Sequence, residues 1–418
     1  MYKALTLTLT LLAAASGACV AQTATPNSVT LYGIVDVGVQ RVSGYKNGTD
    51  TALVSGIMEG SRFGLRGNED LGGGWRAIFT MENRTEANNG SLSSRPPSGT
   101  QVPDRLNQAA LLGLPAALQP AVAGVAAGVG STLGVNLAGN FWDRQIYVGL
   151  VTPFGAVLAG RQYTPAYEIN ANFDVMGTQS SLAAGQAASI PSSIDIRFSN
   201  ALQYRIVVGG ITASAMYAFS DVPGNSKANR FGGAMAMYKA GGLAVGIGYN
   251  QRNNNIGLES LKSLALGASY DIGPGKVGGM VVKFKDDNPS GVSTIATNLP
   301  PLVGAAGAAL VQTAFTNALK QDAQLTHIGY KMTTGVNTFY VAYTSVNDKR
   351  PANADVASYG VAYSYALSKR TDLNAVLTHF DNKNLAQAAP GQAGFLGGVT
   401  SSAGTDSNSV AFGIRHRF

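Results

Sequence analysis

The chain contains very few of the side chains that most enzyme and metal chemistry requires. Cys19 is its only cysteine, and it has three histidines in 418 residues. Such a set cannot build a disulfide framework or a cysteine-and-histidine metal site. No GxSxG-type serine motif accompanies the histidines. We therefore expect no catalytic activity, no metal and no cofactor.

Charged residues are also scarce, at 13% of the chain, and no run of five or more basic residues occurs despite a net charge of +7. A nucleic-acid-binding surface needs clustered basic residues, so we expect no nucleic-acid partner. Long apolar runs are missing as well. Beyond the N-terminus we find no window of about 18 apolar residues suited to a membrane helix. The nearest stretch, Ala109 to Asn140, is interrupted by prolines and glycines.

Residues 1–21 predict a secretory signal peptide, because Lys3 precedes an apolar run that ends in small residues. Cleavage after residue 21 would remove Cys19 with the signal. Lipidation of Cys19 is the alternative, which Ser16 disfavours because it stands where a lipoprotein signal carries leucine. Residues 22–418 then form the exported domain.

Period-two alternation runs along the exported domain. In the first segment Val29, Leu31 and Val35 share one face, whereas Asp36 and Gln40 lie on the other. Similar segments recur down to the terminal SVAFGIRHRF and give 16 candidate strands. Short links such as TPFG, KAGG and GPG alternate with long ones. These features predict an all-β fold, a 16-stranded antiparallel transmembrane β-barrel with both termini in the periplasm.

Charged side chains concentrate on the face opposite the apolar one, which would line the barrel. By parity this inner face holds Arg62, Arg76, Glu82, Arg84, Arg144, Arg197, Gln203, Arg205, Lys283, Lys285 and Lys331. A dry core could not accommodate unpaired charges, and a barrel of about 16 strands encloses water. The pattern therefore predicts an aqueous channel through a lipid-embedded wall.

The C-terminal segment predicts the strand that closes the barrel. Val410, Phe412, Ile414 and Phe418 share one face, together with His416. An aromatic side chain at the last position of an exposed terminus would be unusual in a soluble protein. We expect this segment to be the final strand, paired with the first, with its apolar face toward lipid.

Three blocks of sequence resemble the trimeric general porins of Gram-negative outer membranes. They are GSRFGLRGNEDLGGGWRAIF, DRQIYVGLVTPFGAVLAGRQYTPAY and the terminal FGIRHRF, and LYGxxD occurs in the first strand. The resemblance covers Ser28 to Phe418. It implies a homotrimer that is integral to the outer membrane and passes small hydrophilic solutes and ions. It also implies that Phe412, Ile414 and Phe418 form a signal for the barrel-assembly machinery.

The resemblance further implies a constriction inside the barrel. The third long loop, from about Tyr163 to Ser193, would fold inward and place acidic residues opposite an arginine ladder. The arginines that match are Arg62, Arg144 and Arg197, and the acidic candidates are Glu168, Asp174, Asp36 and Glu82.

The sequence departs from the family pattern in two places near this constriction. The loop lacks a PEFGG-like stretch, and Ile34 stands where some relatives carry a basic residue. Arg161 could face either the pore or a subunit interface. We expect a pore that prefers anions, because arginine dominates the predicted lining. A substrate-specific outer-membrane channel is the alternative function.

Overall fold

The structure is a computed structural model that describes residues 27–188, 195–391 and 396–418. The predicted signal peptide, residues 1–21, lies outside the described residues, as do residues 189–193 at the end of the predicted third loop.

Seventeen strands form one closed antiparallel sheet, and two short strands form a separate pair. The strands are β1 (Ser28–Tyr45), β2 (Gly48–Ser55), β3 (Arg62–Gly72), β4 (Trp75–Arg84), β5 (Gln145–Thr152), β6 (Gly155–Tyr163), β7 (Arg197–Val208), β8 (Ile211–Ala218), β9 (Phe231–Ala240), β10 (Leu243–Asn253), β11 (Glu259–Ile272), β12 (Gly275–Asp286), β13 (Gln321–Thr334), β14 (Asn337–Asp348), β15 (Val356–Ala366), β16 (Thr371–Asn382), β17 (Ala388–Ala389), β18 (Gly398–Val399) and β19 (Ser407–Arg417).

The sheet closes where β19 pairs with β1, with Ile34 opposite Arg417 and Ser43 opposite Asn408. On its other side β1 pairs with β2 over its second half and with β3 over its first half. Because β2 and β3 lie end to end beside β1, the wall has 16 strand positions. The predicted 16-stranded barrel is confirmed, and its final strand closes it as expected.

The first hairpin differs from the prediction. The sequence suggested a long link after Gln40, but β1 continues to Tyr45 and Gly48–Ser55 forms β2. A break at residues 56–61 then separates β2 from β3. Asp36 holds this break, because its carboxylate accepts the backbone N–H groups of Ile57, Met58 and Glu59 at 2.8–2.9 Å. Polar residues interrupt the polar–apolar alternation in GTDTALVS, so the sequence analysis did not recognise this segment as a strand.

Seven turns of two to four residues lie at one end of the barrel. The links at the other end are longer, except for residues 46–47 between β1 and β2. This difference assigns the two ends to the periplasm and the exterior. Helices α1 (Asp104–Asn107) and α2 (Gln119–Ser131) lie in the link between β4 and β5. Helix α3 (Pro165–Phe173) follows β6, and α4 (Pro300–Leu319) precedes β13. Three short 3-10 helices cover Ala110–Leu112, Ala116–Leu118 and Ala184–Ala188.

Helices α2 and α4 pack together outside the barrel, through an apolar cluster that includes Val122, Val311 and Phe315. The sequence analysis missed both. The expectation of no long apolar window was wrong for α4, whose 20 residues are apolar and long enough to cross a membrane by length and composition. Helix α2 lies in the link between β4 and β5, whereas α4 lies in the link before β13. No sequence pattern within one link therefore indicates that the two helices pack together.

The wall alternates as predicted along most strands. Val29 and Leu31 are 67% and 59% exposed toward the membrane, whereas Asp36 is fully buried on the inner side. The prediction was wrong for Lys283 and Lys285, which point outward. Lys283 lies opposite Leu264 on β11, two residues from the exposed Leu266.

The inner wall beside these lysines is apolar because the third loop covers it. Ile169 and Phe173 of α3 are almost fully buried against β9–β12. Small residues make room for the helix, since a Cβ atom on Gly267 would lie 2.1 Å from the Phe173 ring. The described part of the third loop therefore lies inside the barrel, as the sequence predicted.

Gly33 makes room for the end of the chain. Its backbone exchanges two hydrogen bonds with Phe418, at 3.0 and 3.1 Å, and a Cβ atom at this position would lie 2.3 Å from the Phe418 ring. We expect Gly33→Val to lower the yield of folded barrel severalfold, measured by the heat-modifiable shift on gels. Gly232→Val is the matched control, because a Cβ atom there meets nothing within 4 Å. Equal yields from the two variants would contradict this role for Gly33.

Candidate functional site

Three of the predicted site residues form one cluster on the inner wall. Arg144, directly before β5, donates from Nε to Oε1 of Glu82 at 2.7 Å. The charge of Arg62, at the start of β3, also acts on Glu82. Tyr32 donates to the other carboxylate oxygen at 3.0 Å. Glu82 therefore joins residues from four neighbouring strand positions.

Tyr163 connects this cluster to the third predicted arginine. Its hydroxyl oxygen accepts hydrogen bonds from Arg144 at 3.1 Å and from Arg197 at 3.0 Å. The Arg197 guanidinium also lies over the Tyr163 ring, 4.6 Å from its centre. The ladder between β6 and β7 shifts register between Gly160 and Gln162. The sequence analysis treated Tyr163 only as the start of the third loop and did not include it among the site residues.

The charged wall continues from Arg62 toward the barrel closure. Glu59, in the break between β2 and β3, pairs with Arg62 at 2.8 Å and with Arg415 and Arg417 at 2.9 Å. Both terminal arginines also pair with Asp372 on β16. We call the five arginines of this wall the arginine belt, and its members are Arg62, Arg144, Arg197, Arg415 and Arg417. The alternation in FGIRHRF put Arg415 and Arg417 on the inner face, but sequence reasoning did not connect them to the site.

One arginine of the belt, Arg197, and the nearby Arg66 on β3 form no salt bridge with a carboxylate among the described residues. Arg197 makes no salt bridge, and its Nε atom is buried without a hydrogen-bond acceptor. Arg66 lies over the Tyr32 ring at 3.9 Å and forms no ion pair. Arginine remains charged at any working pH. These two guanidinium groups therefore add positive charge to the wall without a direct ion pair, although the charge of Arg197 also acts on Glu82.

The acidic residues predicted on the third loop do not face the arginine belt. Glu168 on α3 pairs with Arg205 at 2.6 Å and accepts a longer bond from Gln203. Asp174 accepts the backbone N–H groups of Met176 and Ala184, which fixes the loop. Its carboxylate also lies 3.7 Å from Nε2 of His327, on the wall behind the loop.

The loop surface that approaches the belt is neutral. A Cβ atom on Gly60 would lie 3.8 Å from the Arg144 guanidinium and 3.9 Å from the amide oxygen of Gln179, so these groups are neighbours. The Gly60 N–H donates to the same oxygen at 3.2 Å. Tyr167 hydrogen-bonds Thr178, and burial raises the pKa of its phenol, which stays neutral. Arg144 is only 3% exposed, so neighbouring groups cover almost all of its side chain.

Two further positions that the sequence left uncertain can now be described. Ile34 is buried on the inner face at the closure of the barrel, where it pairs with Arg417. Arg161 lies opposite the outward-facing Ile146 and donates to the Asp143 carbonyl and the Ser199 hydroxyl. Arg161 therefore belongs to the outer face and not to the arginine belt.

Asp36 lies behind the belt and supports it through the backbone. We expect Asp36→Asn to lower the free energy of unfolding by about 3 kcal/mol, because an amide offers one acceptor oxygen where the carboxylate serves three N–H groups. Denaturant unfolding followed by tryptophan fluorescence in detergent measures the change. Asp271→Asn, at the exposed end of β11, is the control. Equal stability of both variants would show that the strand break does not depend on Asp36.

The described part of the chain brings no three histidine, cysteine or carboxylate groups together as a metal site. What the structure does contain is a closed 16-position barrel with a loop folded into its lumen and a charged inner wall. That combination defines a membrane channel protein of the outer-membrane type, in which solutes cross through the barrel interior.

Comparison with known proteins gives the family. Residues 8–385 match the family model described as Gram-negative porin. The chain belongs to this family, which consists of passive channels and not enzymes. It is an integral β-barrel of the outer membrane.

Two outer-membrane porins are similar along nearly the whole chain. Outer membrane porin protein 32 of Delftia acidovorans is 27% identical over 97% of each chain. A porin of Bordetella pertussis is 26% identical over 98% of each chain. Among solved structures, an anion-selective porin from Comamonas acidovorans is 25% identical, with a TM-score of 0.67 over 94% of this chain and 100% of that one. A trimeric form of OmpT from Vibrio cholerae shares the fold, with a TM-score of 0.57 and 13% identity over 94% of this chain and 100% of that one.

Proposed function

We propose that this porin is an anion-preferring diffusion channel whose constriction lies between the arginine belt and the third loop. The observation that carries the proposal is that Arg197 and Arg66 stack on tyrosine rings and form no direct ion pair with a described carboxylate. Stacking on tyrosine holds each guanidinium in place without a counter-charge. An anion at this point would meet fixed positive charge in a wall of low dielectric constant.

The third loop supports the same sign of selectivity. A transverse field that favoured cations would need carboxylates on the loop side of the passage. Here Glu168 is neutralised by Arg205, and Asp174 faces backbone N–H groups. The groups nearest the belt are the amide of Gln179 and the neutral phenol of Tyr167. Glu82 and Glu59 lie within the belt, where arginines neutralise them.

The similarity to an anion-selective porin supports the proposal independently. A trimeric porin among the structural neighbours supports the further proposal that three copies assemble. We assign to this constriction Arg62, Arg144, Arg197 and Glu82, with Tyr163 as the residue that positions two of the arginines. We assign Glu168, Asp174 and Asp36 to the framework that holds the loop and the wall in place.

Planar bilayer recording tests the function. Purified protein should insert in steps, each giving ohmic conductance for small ions, and a KCl gradient should give a zero-current potential of the sign expected for chloride selectivity. The selectivity should weaken as salt rises and the screening length falls to about 3 Å at 1 M. Conductance with cation selectivity would refute the anion preference and leave the channel function standing. Light scattering of the detergent complex gives the number of copies.

We also propose that the exported chain begins after residue 21. Removal of the signal takes Cys19 with it, so the mature protein should react with no thiol reagent even when unfolded. N-terminal sequencing of protein isolated from outer membranes should begin at Gln22. A lipid-modified N-terminus at Cys19 would support the alternative processing.

A further inference from the structure

Three lysines lie together on the membrane-facing side of β11 and β12. Lys262 and Lys285 are directly opposite each other across the two strands. Lys283 lies two residues from Lys285 on the same face, opposite Leu264. All three are close to the exterior end of the barrel, because β11 begins at Glu259 and β12 ends at Asp286. We call this set the rim lysines.

The charges of the rim lysines are only weakly compensated. Lys262 pairs with Glu259 at 2.7 Å, and Lys285 pairs with Asp287 at 3.3 Å. The paired side chains are 42–63% exposed, and exposed pairs of this kind contribute little. Lys283 forms no ion pair within the described residues, although Asp322 lies across from Lys285 on β13. Like charges on directly opposite residues are unfavourable in a sheet, so this arrangement favours an added anion.

An apolar groove lies directly below the rim lysines on the same two strands. Moving toward the periplasm, the outward cross-strand pairs are Leu266 with Val281, Ala268 with Gly279, and Tyr270 with Val277. Ala268 and Gly279 leave a depression between the larger residues on either side. It is part of a wider groove that spans β8 to β13 and has a volume of about 990 Å³. Four residues of strand separate Lys283 from Gly279, which corresponds to roughly 13 Å.

We propose that this surface binds a phosphate-bearing lipid of the outer leaflet, with phosphates on the rim lysines and acyl chains in the groove. The position of the charges at one end of an apolar groove matches an amphiphile with an anionic headgroup. The location supports a lipid over a second copy of this chain, because the cations lie at the level where headgroups meet the hydrocarbon. A lysine at this depth is favourable only when its ammonium group reaches polar partners, and lipid phosphates provide them.

Lipid titration of the purified full-length protein tests this proposal. The probes are bis-phosphorylated lipid A and the same lipid after removal of its phosphates, and native mass spectrometry counts the bound molecules. The triple variant Lys262→Gln, Lys283→Gln and Lys285→Gln removes the charges, and Ala268→Phe fills the groove. Lys276→Gln, at the periplasmic end of β12, is the matched charge control.

Wild-type protein and the Lys276→Gln control should bind the phosphorylated lipid and bind the dephosphorylated one far more weakly. The triple variant should bind about a hundredfold more weakly, since each lysine near an anionic headgroup contributes a factor of about five. Ala268→Phe should also weaken binding while the rim lysines remain.

Heat-modifiable mobility on gels confirms that each variant is folded, and bilayer conductance should be unchanged in the triple variant and in Ala268→Phe. Equal lipid binding by the triple variant and the wild type would overturn the proposal. So would loss of oligomers in the triple variant without a change in lipid binding, which would assign the surface to contacts between copies.

Discussion

Arg197→Gln should reduce the preference for anions, and Arg66→Gln combined with it should reduce it further. A unit charge about 6 Å from the ion path contributes about 0.7 kcal/mol even in water. Removing one such charge therefore lowers the local chloride concentration roughly threefold and raises that of potassium by the same factor. The zero-current potential across a KCl gradient measures the change. Neither substitution leaves a carboxylate without its partner, because neither arginine forms a salt bridge to a described residue.

Two further variants make this test specific. Arg370→Gln removes one positive charge from an exposed periplasmic turn and should leave the zero-current potential nearly unchanged. Arg144→Gln is a poorer test, because it deprives the buried Glu82 of its closest partner and disturbs the wall. An unchanged potential in the Arg66 and Arg197 double variant would mean that ions do not pass close to these two groups.

Deletion of Phe418 should strongly reduce folded protein in the outer membrane while leaving export to the periplasm intact. The residue contributes two backbone hydrogen bonds to Gly33 at the closure, and its ring packs against that glycine. We also propose that the barrel-assembly machinery recognises the terminal aromatic, together with Ile414 and Phe412. Cell fractionation and heat-modifiable mobility measure the folded fraction.

Substitutions at the same position separate these two roles. Phe418→Ala keeps the backbone hydrogen bonds and removes the ring, whereas Phe418→Tyr keeps an aromatic side chain. If recognition matters, Phe418→Ala should refold normally into detergent without other proteins but assemble poorly in cells, and Phe418→Tyr should behave as the wild type. Normal assembly of the deleted chain in cells would contradict both roles.

The barrel could be predicted because residues that face lipid must be apolar. Where water fills the lumen, polar and apolar residues alternate, as in the strand that contains Asp36 and Gln40. The rule failed at Lys283 and Lys285, because α3 covers the inner wall there and both faces of β12 are apolar. Met280 and Val282 face the loop while Val281 faces the membrane, so parity alone could not assign the lysines.

The candidate site was predictable in part for a related reason. Arg62 and Glu82 lie on regular strands and Arg144 directly precedes one, so alternation alone could assign all three to the inner face. Glu168 and Asp174 lie on an irregular loop, whose hydrogen-bond partners come from distant strands and from its own backbone. Tyr163 follows a register shift at Gly160, and Glu59 lies in a strand break. After a bulge or a break, the residues that follow in the strand occupy the opposite face of the sheet from the one that alternation predicts. The alternation of polar and apolar residues in one sequence does not show where a bulge or a break occurs.

The pairing of β1 with β19 has a consequence for the order of folding. Most other neighbouring pairs join segments that are close in sequence, so local hairpins can form early, although 60 residues separate β4 from β5. The last contact joins the two ends of the chain, and its loop-closure entropy is the largest in the molecule. A partly synthesised chain therefore has two unpaired edges and cannot bury them by itself. Such edges are open to aggregation, so the exported chain must be kept unpaired by chaperones until its C-terminal segment has arrived.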